Sequence, residues 1–136
     1  MNRVSRISTI ILGIALITAC TTTGTEIEDN LSPGEFFQRA QSASVEFSDY
    51  QKAMLYYKTF IERYPSEQIL IMEAEYEIAF LYYKMGDFAT SSELFTKIID
   101  RYKQPEAAIL PSWPEVLSKK ILGIIQEAEK ASIETE

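Results

Sequence analysis

Apolar residues along this chain fall into blocks with helical spacing, separated by short polar or Pro- and Gly-bearing breaks. The densest block, Met72–Tyr102, divides at Met85-Gly86-Asp87. Before the break, Ile78, Phe80, Leu81 and Tyr82 present apolar surface in more than one direction, so this helix must lie between neighbours rather than face water. Gly86 suits the left-handed conformation that ends a helix, and Asp87 suits the N-cap of the next. After the break, Phe88, Leu94, Phe95, Ile98, Ile99 and Tyr102 recur at helical spacing. The pattern predicts a helical hairpin with apolar surface left over on both sides.

Further helices are expected before and after it. Ser32-Pro33-Gly34-Glu35 has the form of a capping box with Pro in the first turn, and Phe36, Phe37, Ala40, Ala43 and Phe47 then mark one face. Ser48-Asp49-Tyr50 is a second cap-like sequence, followed by Ala53, Met54, Tyr57, Phe60, Ile61 and Tyr64 up to a stop at Pro65. Ser66 is the expected cap of the oily helix that begins near Gln68. Past Pro105 and Pro111, Ser112-Trp113-Pro114-Glu115 repeats the capping pattern. It opens a helix with Val116, Leu117, Ile121, Ile124, Ile125, Ala128 and Ala131 on its apolar side. Gly123 costs this helix up to about 1 kcal/mol relative to Ala, which suggests a close contact there.

The spacing also repeats. Ser48-Asp49-Tyr50 aligns with Gly86-Asp87-Phe88, Phe60 with Ile98 and Tyr64 with Tyr102, each pair 38 positions apart. A fixed period over helix-turn-helix units is the mark of a solenoid. The expected fold is all-α: two helical hairpins and a C-terminal capping helix. Ala53 and Ala79 fall where two helices approach closely.

Composition narrows the function. With 13 basic and 20 acidic residues the net charge is −7, which argues against nucleic acid or an anionic membrane surface as a direct partner. The chain has no His and one Cys, so imidazole- or thiol-based catalytic sites, His or Cys metal sites and internal disulfides cannot be built. An enzyme is not expected, nor is a cofactor or a metal site. Glu73, Glu75 and Glu77, which could be imagined as paired catalytic carboxylates, read as a solvated helix face.

The first residues carry Arg3 and Arg6 and then an apolar run from Ile7 to Ile17, too short to span a bilayer and of signal-peptide length. The run ends Ile17-Thr18-Ala19-Cys20, which resembles the lipobox of bacterial lipoproteins. That resemblance implies cleavage before Cys20 and lipidation of its sulfur; the alternative is an ordinary secretory signal with a chance Cys. Thr21 after the Cys, where Asp would retain an enterobacterial lipoprotein in the inner membrane, implies an outer-membrane anchor facing the periplasm. In a host without an outer membrane it implies a cell-surface lipoprotein. Residues 1–19 are thus expected to be a signal peptide and 20–31 a lipidated Cys with a flexible tether. Residues 32–132 should form the helical domain and 133–136 a tail.

Within the 38-residue units, Phe37, Ala40, Ala53, Tyr57, Phe60 and Pro65, then Ile78, Ala79, Tyr82, Gly86, Phe95 and Ile98, resemble the tetratricopeptide repeat. Ser91 stands where that pattern has Ala, Gln41 and Ser44 replace small and Tyr residues, and the closing Pro is displaced to Pro105. The resemblance implies a concave groove lined by the first helix of each repeat. The groove positions map onto Glu35, Gln38 and Ser42 in one copy, and onto Glu73, Tyr76, Phe80, Tyr83 and Lys84 in the other. The aromatic members read either as a contact surface for a peptide or as core, and aromatic stripes at helical spacing are more often core.

The lipobox, the short tether and the repeat ends Glu62-Arg63-Tyr64-Pro65 and Asp100-Arg101-Tyr102 together resemble the BamD (YfiO-like) family of outer-membrane assembly lipoproteins. The resemblance implies a non-enzymatic scaffold of the β-barrel assembly machinery. Its partners would be a BamA-like barrel subunit and nascent outer-membrane proteins. That family usually carries about five repeats against the two and a cap read here, and the residues corresponding to its C-terminal docking repeats are missing or vestigial. Two alternatives remain open: a pilotin-like or cell-wall adaptor lipoprotein, and a solute-binding lipoprotein that uses the aromatic groove as a pocket.

Overall fold

Five α-helices and one short 3-10 helix account for the ordered chain in the computed structural model, which describes residues 27–134. The expected signal segment, Cys20 and the last two residues lie outside the described residues. Helix α1 (Pro33–Val45) pairs with α2 (Tyr50–Arg63), and α3 (Gln68–Lys84) pairs with α4 (Phe88–Arg101). The 3-10 helix Pro105–Ile109 leads into α5 (Trp113–Glu134). Each helix packs on the next in sequence, and α5 also touches α3.

Local chemistry sets most of the boundaries. The Ser32 N–H and hydroxyl both donate to Glu35 Oε2, at 2.8 and 2.6 Å, with Pro33 in the first turn of α1. Asp49 accepts from the Lys52 N–H at 3.0 Å, and 38 residues later Asp87 accepts from the Thr90 N–H at 3.1 Å. The residues ahead of these caps are left-handed in both copies: Gly86 at φ 79° and Ser48 at φ 52°. Glycine adopts that conformation at no steric cost, whereas Ser48 carries a Cβ through it.

Three expectations about helix ends are corrected. Ser66 does not cap α3: Glu67 occupies the N-cap without a side-chain cap bond, and the Gln68 amide donates to the Pro65 carbonyl instead. Glu115 pairs with Lys119 at 2.6 Å rather than closing a box with Ser112. Phe47 lies beyond the end of α1 and is 73% exposed, so it contributes nothing to that helix's apolar face.

Why α3 is apolar on two sides is plain from the core. Ile71, Ala74, Ile78 and Leu81 join Phe36, Ala40, Ala53, Tyr57 and Phe60 of the first hairpin in one cluster. Met72, Tyr76 and Ala79, on a second stripe of the same helix, join Phe95 and Ile98 in another, against which Trp113 and Ile121 pack. Both stripes have helical spacing and together leave little of α3 for water. Ala53 and Ala79 are fully buried at the expected crossings. The departure at Ser91 has a reason: its buried hydroxyl donates to the Ala79 carbonyl at 2.9 Å, tying α4 to α3 where an Ala would only touch. Gly123 does not mark a close approach, since a Cβ there would meet nothing within 4 Å.

The boundary of the ordered domain also moves. Residues 27–31, expected to belong to a flexible tether, are held on the first repeat. Leu31 is buried, and its carbonyl accepts from the Tyr64 hydroxyl at 2.7 Å. The Arg63 guanidinium donates to the Glu28 carbonyl at 2.7 Å and pairs with Asp29 at 3.5 Å. Tyr102, at the equivalent position of the second repeat, donates to the Pro111 carbonyl at 2.6 Å. At the other end α5 continues to Glu134, past the point where a tail was expected.

Candidate functional site

One stripe of α3 carries the aromatic residues on which the groove expectation rests. Three rings climb it in sequence: Tyr76 stacks on Phe80 with centroids 6.2 Å apart, and Phe80 on Tyr83 at 5.8 Å. The ladder is closed by Trp113 of α5, edge-on to Tyr76 at 5.1 Å, and by Phe88 of α4, 5.7 Å from Tyr83. Tyr76 is core, touching Phe95 as well. Phe80 and Tyr83 are half-buried and keep a face to solvent. Buried and half-buried rings thus share a single stripe. Beyond Tyr83 a cavity of about 270 Å³ opens between Phe88 and the Ile124, Ala128 side of α5.

Not all expected groove residues gather here. Glu35 is engaged by Ser32 at the start of α1, and Gln38 is exposed on the same helix. Ser42 lines a separate hollow of about 150 Å³ with Arg39, Asp49, Lys52 and Tyr56, to which α3 contributes nothing. The α1 half of the mapped groove is therefore not assembled with the aromatic half. Lys84 is at the rim, with its ammonium 5.0 Å from the Tyr50 ring centre in a cation–π contact.

The three glutamates of α3 are not the solvated face that the sequence suggested. All three are half-buried, and burial holds each carboxyl above the usual range. Glu75 turns toward α4 and pairs with Arg101, which opposes that rise without cancelling it. Glu73 and Glu77 lie one helical turn apart; burial first and then the Glu73 charge raise Glu77, with Lys84 acting against the rise, while burial alone raises Glu73. Burial first, then the charges of Glu77 and Glu73, push the Tyr57 hydroxyl of α2 far above the ordinary tyrosine value. The available signal was two like charges at i, i+4 on an otherwise oily helix. A second hollow, of about 620 Å³, lies between Lys58 of α2 and Leu94, Lys97 and Arg101 of α4, with Glu75 and Ile78 at its lining, and nothing in the sequence pattern pointed to it.

Among the described residues no cluster of His, Cys, Asp and Glu is placed to hold a metal ion, and no helix is long and apolar enough to cross a membrane.

Comparison with known proteins agrees with this geometry. The tetratricopeptide repeat profile matches residues 36–66 and 73–104, the two hairpins α1–α2 and α3–α4. A protein of Treponema pallidum (strain Nichols), described as an uncharacterized protein, is 26% identical over 103 residues. That match covers 74% of this chain and 41% of the relative, so the chain spans well under two thirds of that protein's length. No solved structure matches the chain. The matched stretches coincide with the stacked hairpins, and the fold is accordingly an all-helical, tetratricopeptide-like solenoid.

Proposed function

We propose that this protein is a lipid-anchored scaffold of the outer-membrane β-barrel assembly machinery, similar to BamD, that binds a BamA-like subunit or unfolded outer-membrane proteins and does no chemistry itself. Tetratricopeptide repeats are protein-binding modules in general, and the observation that carries the reading here is the half-exposed pair Phe80 and Tyr83 on the inner face of α3. Stacked rings offer a large, stiff contact area at low entropic cost, which suits a segment laid across them. The lipobox-like Ile17-Thr18-Ala19-Cys20 supports attachment at Cys20 to the periplasmic face of the outer membrane. With residues 27–31 held on the first repeat, only residues 20–26 separate Cys20 from the held segment, a length of at most about 25 Å. The repeats then work close to the membrane surface.

Photo-crosslinking from position 83 in intact cells tests the partner. The expected product joins this chain to a barrel subunit or a nascent barrel protein. Recovery of another envelope protein instead would reassign it as an adaptor lipoprotein. Metabolic labelling with a palmitate analogue tests the anchor: label should enter the wild type and be absent from Cys20→Ser.

A further inference from the structure

We infer that the hollow between α2 and α4 is a second docking site, and that it takes a protein segment in which a bulky apolar side chain is flanked by carboxylates. It is separate from the aromatic stripe. Ile78, at the floor of the hollow, stands roughly 150° around α3 from Phe80 and Tyr83.

Shape is the first observation. The hollow has a volume of about 620 Å³, within the range of roughly 300–1,000 Å³ in which proteins enclose a bound group. Its floor is apolar: Ile78 and Ile98 are buried there, and Leu94 is half-buried beside them. Leu94, Lys97, Ile98 and Arg101 follow one another at i, i+3, i+4 and i+7, so a single face of α4 supplies both floor and cations. Lys58 of α2 completes the rim.

Charge is the second observation, and it runs against the rest of the molecule. The whole chain has 13 basic and 20 acidic residues, yet the hollow is lined by three cations, Lys58, Lys97 and Arg101, against two acids, Glu75 and Asp100. Both acids are already answered, Glu75 by Arg101 and Asp100 by Lys103, the latter at 2.6 Å. Lys97 holds Glu93 at 2.6 Å, an exposed pair of the kind that exchanges easily. Lys58 forms no ion pair among the described residues. An apolar side chain set on the floor would cover Leu94 and carry its neighbours to the rim, where one carboxylate meets Lys58 and another replaces Glu93 on Lys97. Cations drawn from two helices are more than one head group can meet, which favours a segment with several carboxylates over a free fatty acid. The net charge of −7 does not forbid the approach: beyond about 8 Å at physiological ionic strength it is largely screened, and the local cations decide.

The test uses the full chain in uncharged detergent micelles at about 0.15 M salt. The probe is a labelled pentapeptide, acetyl-Gly-Glu-Phe-Glu-Gly-amide, read by fluorescence anisotropy. One counterpart has both Glu replaced by Gln, and another has Phe replaced by Ala. The parent peptide should bind saturably, and each counterpart about tenfold more weakly. Lys58→Gln should lose about threefold, and Lys58→Gln combined with Lys97→Gln about tenfold. Both side chains are exposed, so these variants should melt as wild type does. Lys130→Gln, exposed on α5, removes the same charge elsewhere and should change nothing.

No saturable binding, equal binding of either counterpart, or an equal loss from Lys130→Gln overturns the inference. Displacement of the peptide by octanoate at matched concentration also overturns it, by giving the hollow to a free carboxylic amphiphile. Crosslinking from position 83 reads the aromatic stripe instead, so either result can fail while the other stands.

Discussion

Replacing Gly123 by Ala should make this protein more stable. Gly123 is an interior residue of α5, and a Cβ built there meets no atom within 4 Å. Nothing has to move to admit the methyl group, so the helix-propensity gain of about 1 kcal/mol is expected nearly whole. Roughly 2.1 cal/mol/K of unfolding entropy per residue, over the described residues 27–134, gives about 0.23 kcal/mol/K. A gain of about 1 kcal/mol then raises Tm by about 4 °C. The measurement is thermal unfolding followed at 222 nm for wild type and variant, at two protein concentrations a decade apart. An unchanged Tm would mean that α5 melts apart from the repeats and is no cap. A lowered Tm, above all at the higher concentration, would mean that something packs against this position in solution. Either result refutes the reasoning.

Ala79→Arg should abolish the cooperative melt, because the residue is fully buried where α3 meets α4 and an unpaired charge there costs several kcal/mol; a transition close to wild type rejects the helix placement. Ser91→Ala removes the hydroxyl bond to the Ala79 carbonyl and should lower stability by about 1 kcal/mol in urea unfolding, with no change expected if the bond is dispensable. Ser118→Ala should have the opposite sign and raise it by about 1 kcal/mol, since the buried Ser118 hydroxyl has no hydrogen-bond partner. Burial raises Glu73, Glu75 and Glu77 in the folded state, so between the ordinary carboxylate range and those raised values the folded chain binds more protons than the unfolded one. Stability should therefore rise as pH falls from 7 toward 5, and a lower urea midpoint at pH 5.5 than at pH 7 contradicts this.

The repeat itself was legible because its signals are local. Asp49 and Asp87 cap what they were expected to cap, Gly86 is left-handed, and the two-sided apolarity of α3 maps onto two core clusters. What failed is what depends on where the chain goes next. Ser66 has the chemistry of a cap, but the helix takes Glu67 as its N-cap residue instead. Phe47 fits the apolar spacing of α1, yet the helix ends at Val45 before reaching it. Leu31 carries no local sign of its partner, because Tyr64 is 33 residues away, and polar composition alone made its surroundings read as tether. For the candidate site, Tyr76, Phe80 and Tyr83 were identifiable from spacing, though not which of them would be sealed by Trp113.

The fastening of residues 27–31 by Arg63 and Tyr64 has a mechanical corollary. Tension arriving along the backbone ahead of Ile27 is borne first by the end of α2, in shear across several hydrogen bonds, and not by the first turn of α1. Under load the molecule behaves as a hook with its shank riveted to the bend, so a tug from that direction enters the first hairpin at the end of α2 before the first turn of α1 begins to unravel.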